Sequence, residues 1–231
     1  MKVLFIITGS LEGTWLSEVT HPYWHLTERG IDVDFSSPTG GNVGWTARSD
    51  PYYEKSAEAD DLVSKGFLSD DKLRTKLATT RRLRDVDWVS YDAVHVAGGR
   101  GATFDLYPND DVAAALEYFW EAGKIVGTIC HGGVALGNVP SLMLGLRATA
   151  YSLEEDRALQ RLFGPEFLIP HFPQQVVEST GALYSCAAPQ MPHVVVDGRL
   201  ITGQNQQSAS EYGVAFHRLM AGKGLLSQIG Q

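Results

Sequence analysis

The sequence predicts an α/β fold, a doubly wound and mainly parallel sheet with helices on both faces. Three observations carry it. Residues 2–8 form a continuous apolar run of strand length, as expected of a strand covered on both faces, and 91–97 and 124–129 read as further buried strands. Stretches of helical periodicity alternate with them, the pattern of a parallel sheet. Two of these strands end at chemically suggestive turns, Gly98-Gly99 and Cys130-His131-Gly132-Gly133, and ligands of such sheets bind outside the carboxyl ends of the strands.

In chain order, the strand at 2–8 stops at Gly9. A helix over 14–29 follows, with Trp15, Val19, Trp24 and Leu26 among polar residues and Gly30 as its stop. Pro22 inside that pattern predicts a kink or a break. Residues 31–35 alternate and give a second strand, ending in Ser36-Ser-Pro-Thr-Gly-Gly. From about 42 to 87 the chain is polar, with weak helical patches at 58–65 and 70–78. It reads as an insertion on the sheet edge whose charges form a solvated face. The strand at 91–97 runs into Gly98-Gly99-Arg100-Gly101; a helix over 110–122 is stopped by Gly123; residues 124–129 lead to Cys130, and residues 131–136 begin the next helix. Tyr184-Ser-Cys-Ala reads as a strand with Cys186 structural. His193-Val-Val-Val and Leu200-Ile-Thr flank Asp197-Gly198, a strong hairpin signal. A helix over 206–220 closes the pattern.

The 231 residues, 44% hydrophobic and 20% charged, suit one large domain over 1–231. A net charge of -8 without a Lys/Arg stripe argues against nucleic acid as a partner. No run approaches the roughly 20 apolar residues of a membrane span, and residues 1–8 lack a signal-peptide core. A soluble, cytoplasmic protein is expected. Its two cysteines match neither a zinc spacing nor a disulfide framework, so a reducing compartment and a free thiol are expected.

Cys130 is the candidate nucleophile. A thiol between a buried strand and a helix meets backbone N–H groups and a partial positive charge that favour the thiolate. Gly132 and Gly133 permit the sharp turn that holds it clear of the sheet. The His131 imidazole is of the side-chain type most often used as a general acid or base. The N–H groups of Gly99 and His131 could form an oxyanion hole.

Ala97-Gly-Gly-Arg-Gly-Ala-Thr-Phe-Asp-Leu, Thr128-Ile-Cys-His-Gly and Val196-Asp-Gly-Arg-Leu-Ile-Thr-Gly-Gln-Asn together resemble the ThiJ/PfpI superfamily. Its fold is flavodoxin-like and related to class I glutamine amidotransferases. Glu18-Val-Thr-His-Pro, Ser36-Ser-Pro-Thr-Gly-Gly and the charged insertion resemble the branch of heat-inducible chaperones that are also glyoxalase III enzymes. The resemblance implies Cys130 as nucleophile, His131 as its partner and Glu18 as a proton shuttle. The acid of the family's triad follows a Thr-Gly/Ala-aromatic segment, here Thr149-Ala150-Tyr151. Counting onward gives Asp156, with Glu155 one step away. Arg100 stands where the family has His, and either carries a positive charge into the pocket or points to solvent. Gly133 stands where Pro is common. The His of the zinc pair found in some relatives is missing before Glu18, where Gly13 and Thr14 stand, so no metal and no cofactor are expected.

The implied activity is glutathione-independent conversion of 2-oxoaldehydes such as methylglyoxal to 2-hydroxy acids, a lyase reaction with a small reactive carbonyl as substrate. The alternatives are a holdase chaperone binding unfolded proteins, a protein deglycase, and a cysteine amidase, peptidase or isonitrile hydratase. A homodimer is implied by the family. His21, His25, His171, His193 and His217 have no assigned role.

Overall fold

A computed structural model describes residues 1–229, with side chains through residue 222. The strands are β1 (Lys2–Ile6), β2 (Asp32–Ser37), β3 (Arg81–Arg82), β4 (Ala93–Val96), β5 (Ile125–Ile129), β6 (Arg147–Ala148), β7 (Leu183–Tyr184), β8 (Val194–Asp197) and β9 (Leu200–Gly203). The α-helices are α1 (Ser17–Thr27), α2 (Leu62–Ser69), α3 (Asp71–Ala78), α4 (Ala102–Asp105), α5 (Asp110–Glu121), α6 (Pro140–Met143), α7 (Leu153–Phe163), α8 (Pro173–Ser179) and α9 (Ala209–Ile229).

Seven strands form one sheet in the order β3-β2-β1-β4-β5-β9-β8, parallel except for β8, while β6 and β7 make a separate parallel pair. Side chains alternate across a strand, so β1 feeds two cores. Val3 and Phe5 face Val19, Leu26, Tyr212 and Phe216 of α1 and α9. Leu4 and Ile6 face Val112, Leu116 and Phe119 of α5. This two-sided burial is why β1, β4 and β5 are largely apolar, with His95 in β4 and Thr128 in β5 as buried polar residues. The α/β fold and the β8–β9 hairpin stand as expected. Among the described residues no helix is long and apolar enough to cross a membrane.

Several local expectations need correction. Pro22 lies inside α1 and does not break it. The polar insertion supplies β3, the edge strand, and buries Phe67, Leu68, Leu77 and Leu83, so it is more than a solvated face. Part of its charge caps helices. Asp61 accepts from the N–H groups of Val63 and Ser64, and Asp70 from those of Lys72 and Leu73. The helix expected after Cys130 is present, as a 3-10 helix (Cys130–Asn138). Cys186 lies beyond β7 and is exposed, so it packs no core.

The sheet order reverses at β1, which has β2 on one side and β4 on the other. The carboxyl ends of β1, β4 and β5 open at this switch point, where α/β sheets bind ligands. Glu18, Gly98-Gly99 and Cys130 all emerge there.

Candidate active site

Cys130 follows β5 directly and takes φ 56°, a left-handed conformation that costs a non-glycine residue about 1–3 kcal/mol. The turn is held on both sides. Its carbonyl accepts from Tyr151 N–H at 3.3 Å, and Gly133 lies so close to Ala150 that a Cβ on it would stand 2.5 Å from the Ala150 Cβ. That contact leaves no room for a side chain at position 133. The thiol is buried, and burial together with the Glu18 carboxyl pushes its pKa well above the ordinary thiol value. Only the N–H groups of His131 and Gly99 pull it down. The expected oxyanion donors therefore already face the sulfur. A strongly thiolate resting state is not what this environment favours.

The opposing group is Glu18, in the first turn of α1 and fully buried. Its Oε2 occupies the space a side chain on Gly98 would need, 2.6 Å from that glycine's ideal Cβ. Neither carboxyl oxygen closes a hydrogen bond of ordinary geometry. Desolvation pushes the Glu18 pKa up to about 8, against the pull of the Cys130 thiol and the Gly98 N–H. Glu18 and Cys130 thus form a pair that resists carrying two negative charges and keeps a proton at neutral pH.

His131 connects this pair to the third acid. Its Nδ1 lies 3.4 Å from Cys130 Sγ and its Nε2 2.8 Å from Asp156 Oδ1. A carboxylate at Nε2 takes the ring N–H, which leaves the Nδ1 lone pair for the thiol. Tyr151 stacks on the imidazole, 4.4 Å between centroids. Asp156 is fully buried, and burial raises its pKa while His131 lowers it.

Glu155, the other candidate acid, does not reach His131. Its oxygens accept from Ser152 N–H and Oγ, Gln190 N–H, Gln204 Nε2 and Asn205 Nδ2, at 2.6–3.1 Å. It completes the capping box that starts α7 and ties that helix to the segment after β9. Glu155→Ala is expected to lower stability by about 3–5 kcal/mol, because several buried donors lose their acceptor. Urea unfolding measures this, and a change below 1 kcal/mol would contradict it.

Cys130, His131, Tyr151, Trp15, Arg100 and Phe163 line a cavity of about 360 Å³. Arg100 faces this cavity, but its charge is already engaged. One Nη meets Glu12, the other donates to Leu168 O at 3.0 Å, and the guanidinium lies over the Phe167 ring at 4.3 Å. It is therefore neither a free cation in the pocket nor a solvent-facing side chain. Thr14 spends its hydroxyl on Gly98 O at 2.7 Å, and Gly13 has no side chain, so these positions do not fit a zinc site. Among the described residues no three His, Cys, Asp or Glu side chains gather to hold a metal.

Four of the remaining histidines have local partners: His21 with Asp61, His25 with Ser210, His193 with Ser185, and His171 against Tyr107. Sequence reasoning passed over His95, hidden in an apolar strand. It is fully buried and bonds the Glu18 carbonyl.

Known proteins share this arrangement of chain and fold. The chain is 28% identical over 220 residues to "Glyoxalase 3" of Candida albicans, covering 89% of this chain and 88% of the other. It is 25% identical over 226 residues to "Glutathione-independent glyoxalase HSP31" of Saccharomyces cerevisiae, covering 91% and 90%. The solved structure of rapid encystment protein 24 kDa from Francisella tularensis superposes with a TM-score of 0.84 at 28% identity, covering 94% and 98%. The family model described as DJ-1/PfpI matches residues 1–219. With an α/β fold of this topology, relatives of this kind and a match over nearly its whole length, the chain belongs to the DJ-1/PfpI family and resembles its glyoxalase III branch.

Proposed function

We propose that the protein is a glutathione-independent glyoxalase, converting methylglyoxal and related 2-oxoaldehydes to 2-hydroxy acids without a cofactor. The observation that carries this reading is a buried, proton-retaining carboxyl, Glu18, set against the thiol of a strained elbow. Acyl transfer would need the Cys130–His131–Asp156 line alone. Isomerising an oxoaldehyde also requires a proton to move between two carbons, and a carboxyl with a pKa near 8 is suited to that.

In this scheme His131 Nδ1 accepts the thiol proton as sulfur adds to the aldehyde carbon, giving a hemithioacetal whose oxygen meets the N–H groups of Gly99 and His131. Glu18 first gives its proton to that oxygen, and as the resulting carboxylate it removes the hydrogen from the carbon and returns it to the neighbouring one through an enediol. The product is a 2-hydroxy thioester. Water then hydrolyses it to the acid and restores the thiol, so one water is consumed overall. The relatives named glyoxalases support the assignment of substrate class.

Purified protein incubated with methylglyoxal and no glutathione is expected to release lactate. A preparation that is folded and reduced yet forms none would sink this reading.

A further inference from the structure

Pro22 creates a vacancy beside Glu18. In an α-helix the carbonyl of residue 18 accepts from the N–H of residue 22, and proline has none. The Glu18 carbonyl instead lies 3.0 Å from Nε2 of His95, a fully buried residue of β4. A carbonyl only accepts, so Nε2 carries the proton and Nδ1 is left as an acceptor. Nδ1 lies 2.9 Å from the Tyr212 hydroxyl of α9, which donates to it. Burial pushes the His95 pKa down to about 3, so the ring keeps this neutral tautomer.

His95 pairs in register with Gly127 of β5, and a Cβ on Gly127 would stand 2.1 Å from the Tyr212 hydroxyl. The missing side chain at 127 is what lets the hydroxyl reach the imidazole. Phe5, the register partner on β1, packs against the His95 ring at 4.4 Å. Tyr212, His95 and the Glu18 carbonyl therefore form a relay across the sheet interior that ends on the backbone of the carboxyl facing Cys130.

We propose that His95 is a positioning residue: by supplying the N–H that Pro22 lacks, it fixes the first turn of α1 and so holds the Glu18 carboxyl against the Cys130 thiol. The proposal deepens the glyoxalase reading by taking Glu18 as its proton carrier.

The test reads the thiol directly. In a Cys186→Ser background, the rate of Cys130 alkylation by iodoacetamide is followed against pH. Cys130 and Glu58 are the ionisable groups that act on Glu18, and Glu18 and His131 those that act on the thiol. Tyr151 stands beside both. Glu18 holds the alkylation midpoint up, so a displaced carboxyl lowers it. His95→Leu is expected to move the midpoint down toward that of Glu18→Gln and to cut kcat for lactate formation about tenfold at unchanged KM. Adding Pro22→Ala returns an N–H to the Glu18 carbonyl and is expected to restore both.

A folded His95→Leu variant with the wild-type midpoint overturns the proposal, as does a shift that Pro22→Ala leaves uncorrected. Should His95→Leu fail to fold, Tyr212→Phe removes the donor to Nδ1 at nearly constant volume and is expected to lower the same midpoint; an unmoved one overturns the proposal. Alkylation needs no oxoaldehyde. A shift corrected by Pro22→Ala in a protein that makes no lactate would uphold the positioning and remove only the glyoxalase reading.

Discussion

Cys130→Ala is expected to reduce lactate formation from methylglyoxal to the uncatalysed rate while leaving the fold intact. Alanine keeps the Cβ and pays the same left-handed backbone cost at φ 56°, so the elbow loses only its sulfur. The stability change should stay near 1 kcal/mol or below, because the removed atom is small and the surrounding contacts remain. The chemistry has no substitute. Cys186 is exposed and does not line the cavity. Lactate release and a thermal melt on the same sample separate the two effects. A folded variant with wild-type turnover would remove Cys130 from the mechanism. A protein that acted only as a holdase would pass unchanged through this substitution, so prevention of aggregation measured alongside distinguishes the two activities.

Glu18→Gln should lower kcat by about 10²–10⁴, the range contributed by a positioned acid or base. The thiol and both backbone donors remain, so sulfur addition is retained and Cys130 still alkylates. The same substitution changes stability with a defined sign. The Glu18 pKa is raised to about 8 in the folded protein from the ordinary carboxyl value of 4.5. Between these values the unfolded chain has released a proton that the folded one retains, so wild-type stability contributed by this group falls as pH rises from about 4.5 to 8 and is level above. Glutamine carries no such penalty. The variant should therefore gain on wild type between pH 5 and pH 8 in urea titrations. A variant that loses stability relative to wild type as pH rises over that interval would contradict a raised pKa, and full turnover would remove Glu18 as the proton carrier.

Much of the central sheet was readable because β1, β4 and β5 are buried on both faces and carry runs that no surface segment would. Cys130 and His131 were readable for a related reason: a cysteine, a histidine and two glycines at the end of such a strand leave a local mark. What escaped depends on residues far apart in the chain. Arg100 could not be placed because its partner, Glu12, is 88 residues away. The buried apolar residues of α2 and α3, Phe67 and Leu77, are diluted among charges, and several of those charges turned out to be caps. His95 was invisible for the opposite reason. One polar residue in an apolar strand reads as noise until the carbonyl left free by Pro22, 73 positions earlier, is brought to it.

The neighbouring acids of α7 also bear on how this chain tolerates change. Consecutive helical residues point about 100° apart. Asp156 therefore turns toward His131 while Glu155 turns into the cluster of Ser152, Gln190, Gln204 and Asn205. Inserting or deleting one residue between Tyr151 and Glu155 would rotate both at once, withdrawing the acid from the imidazole and the acceptor from its donors. A point substitution here strikes one acid, whereas a change of length strikes both, so the spacing from Tyr151 to Asp156 should be as tightly constrained as the identity of either acid.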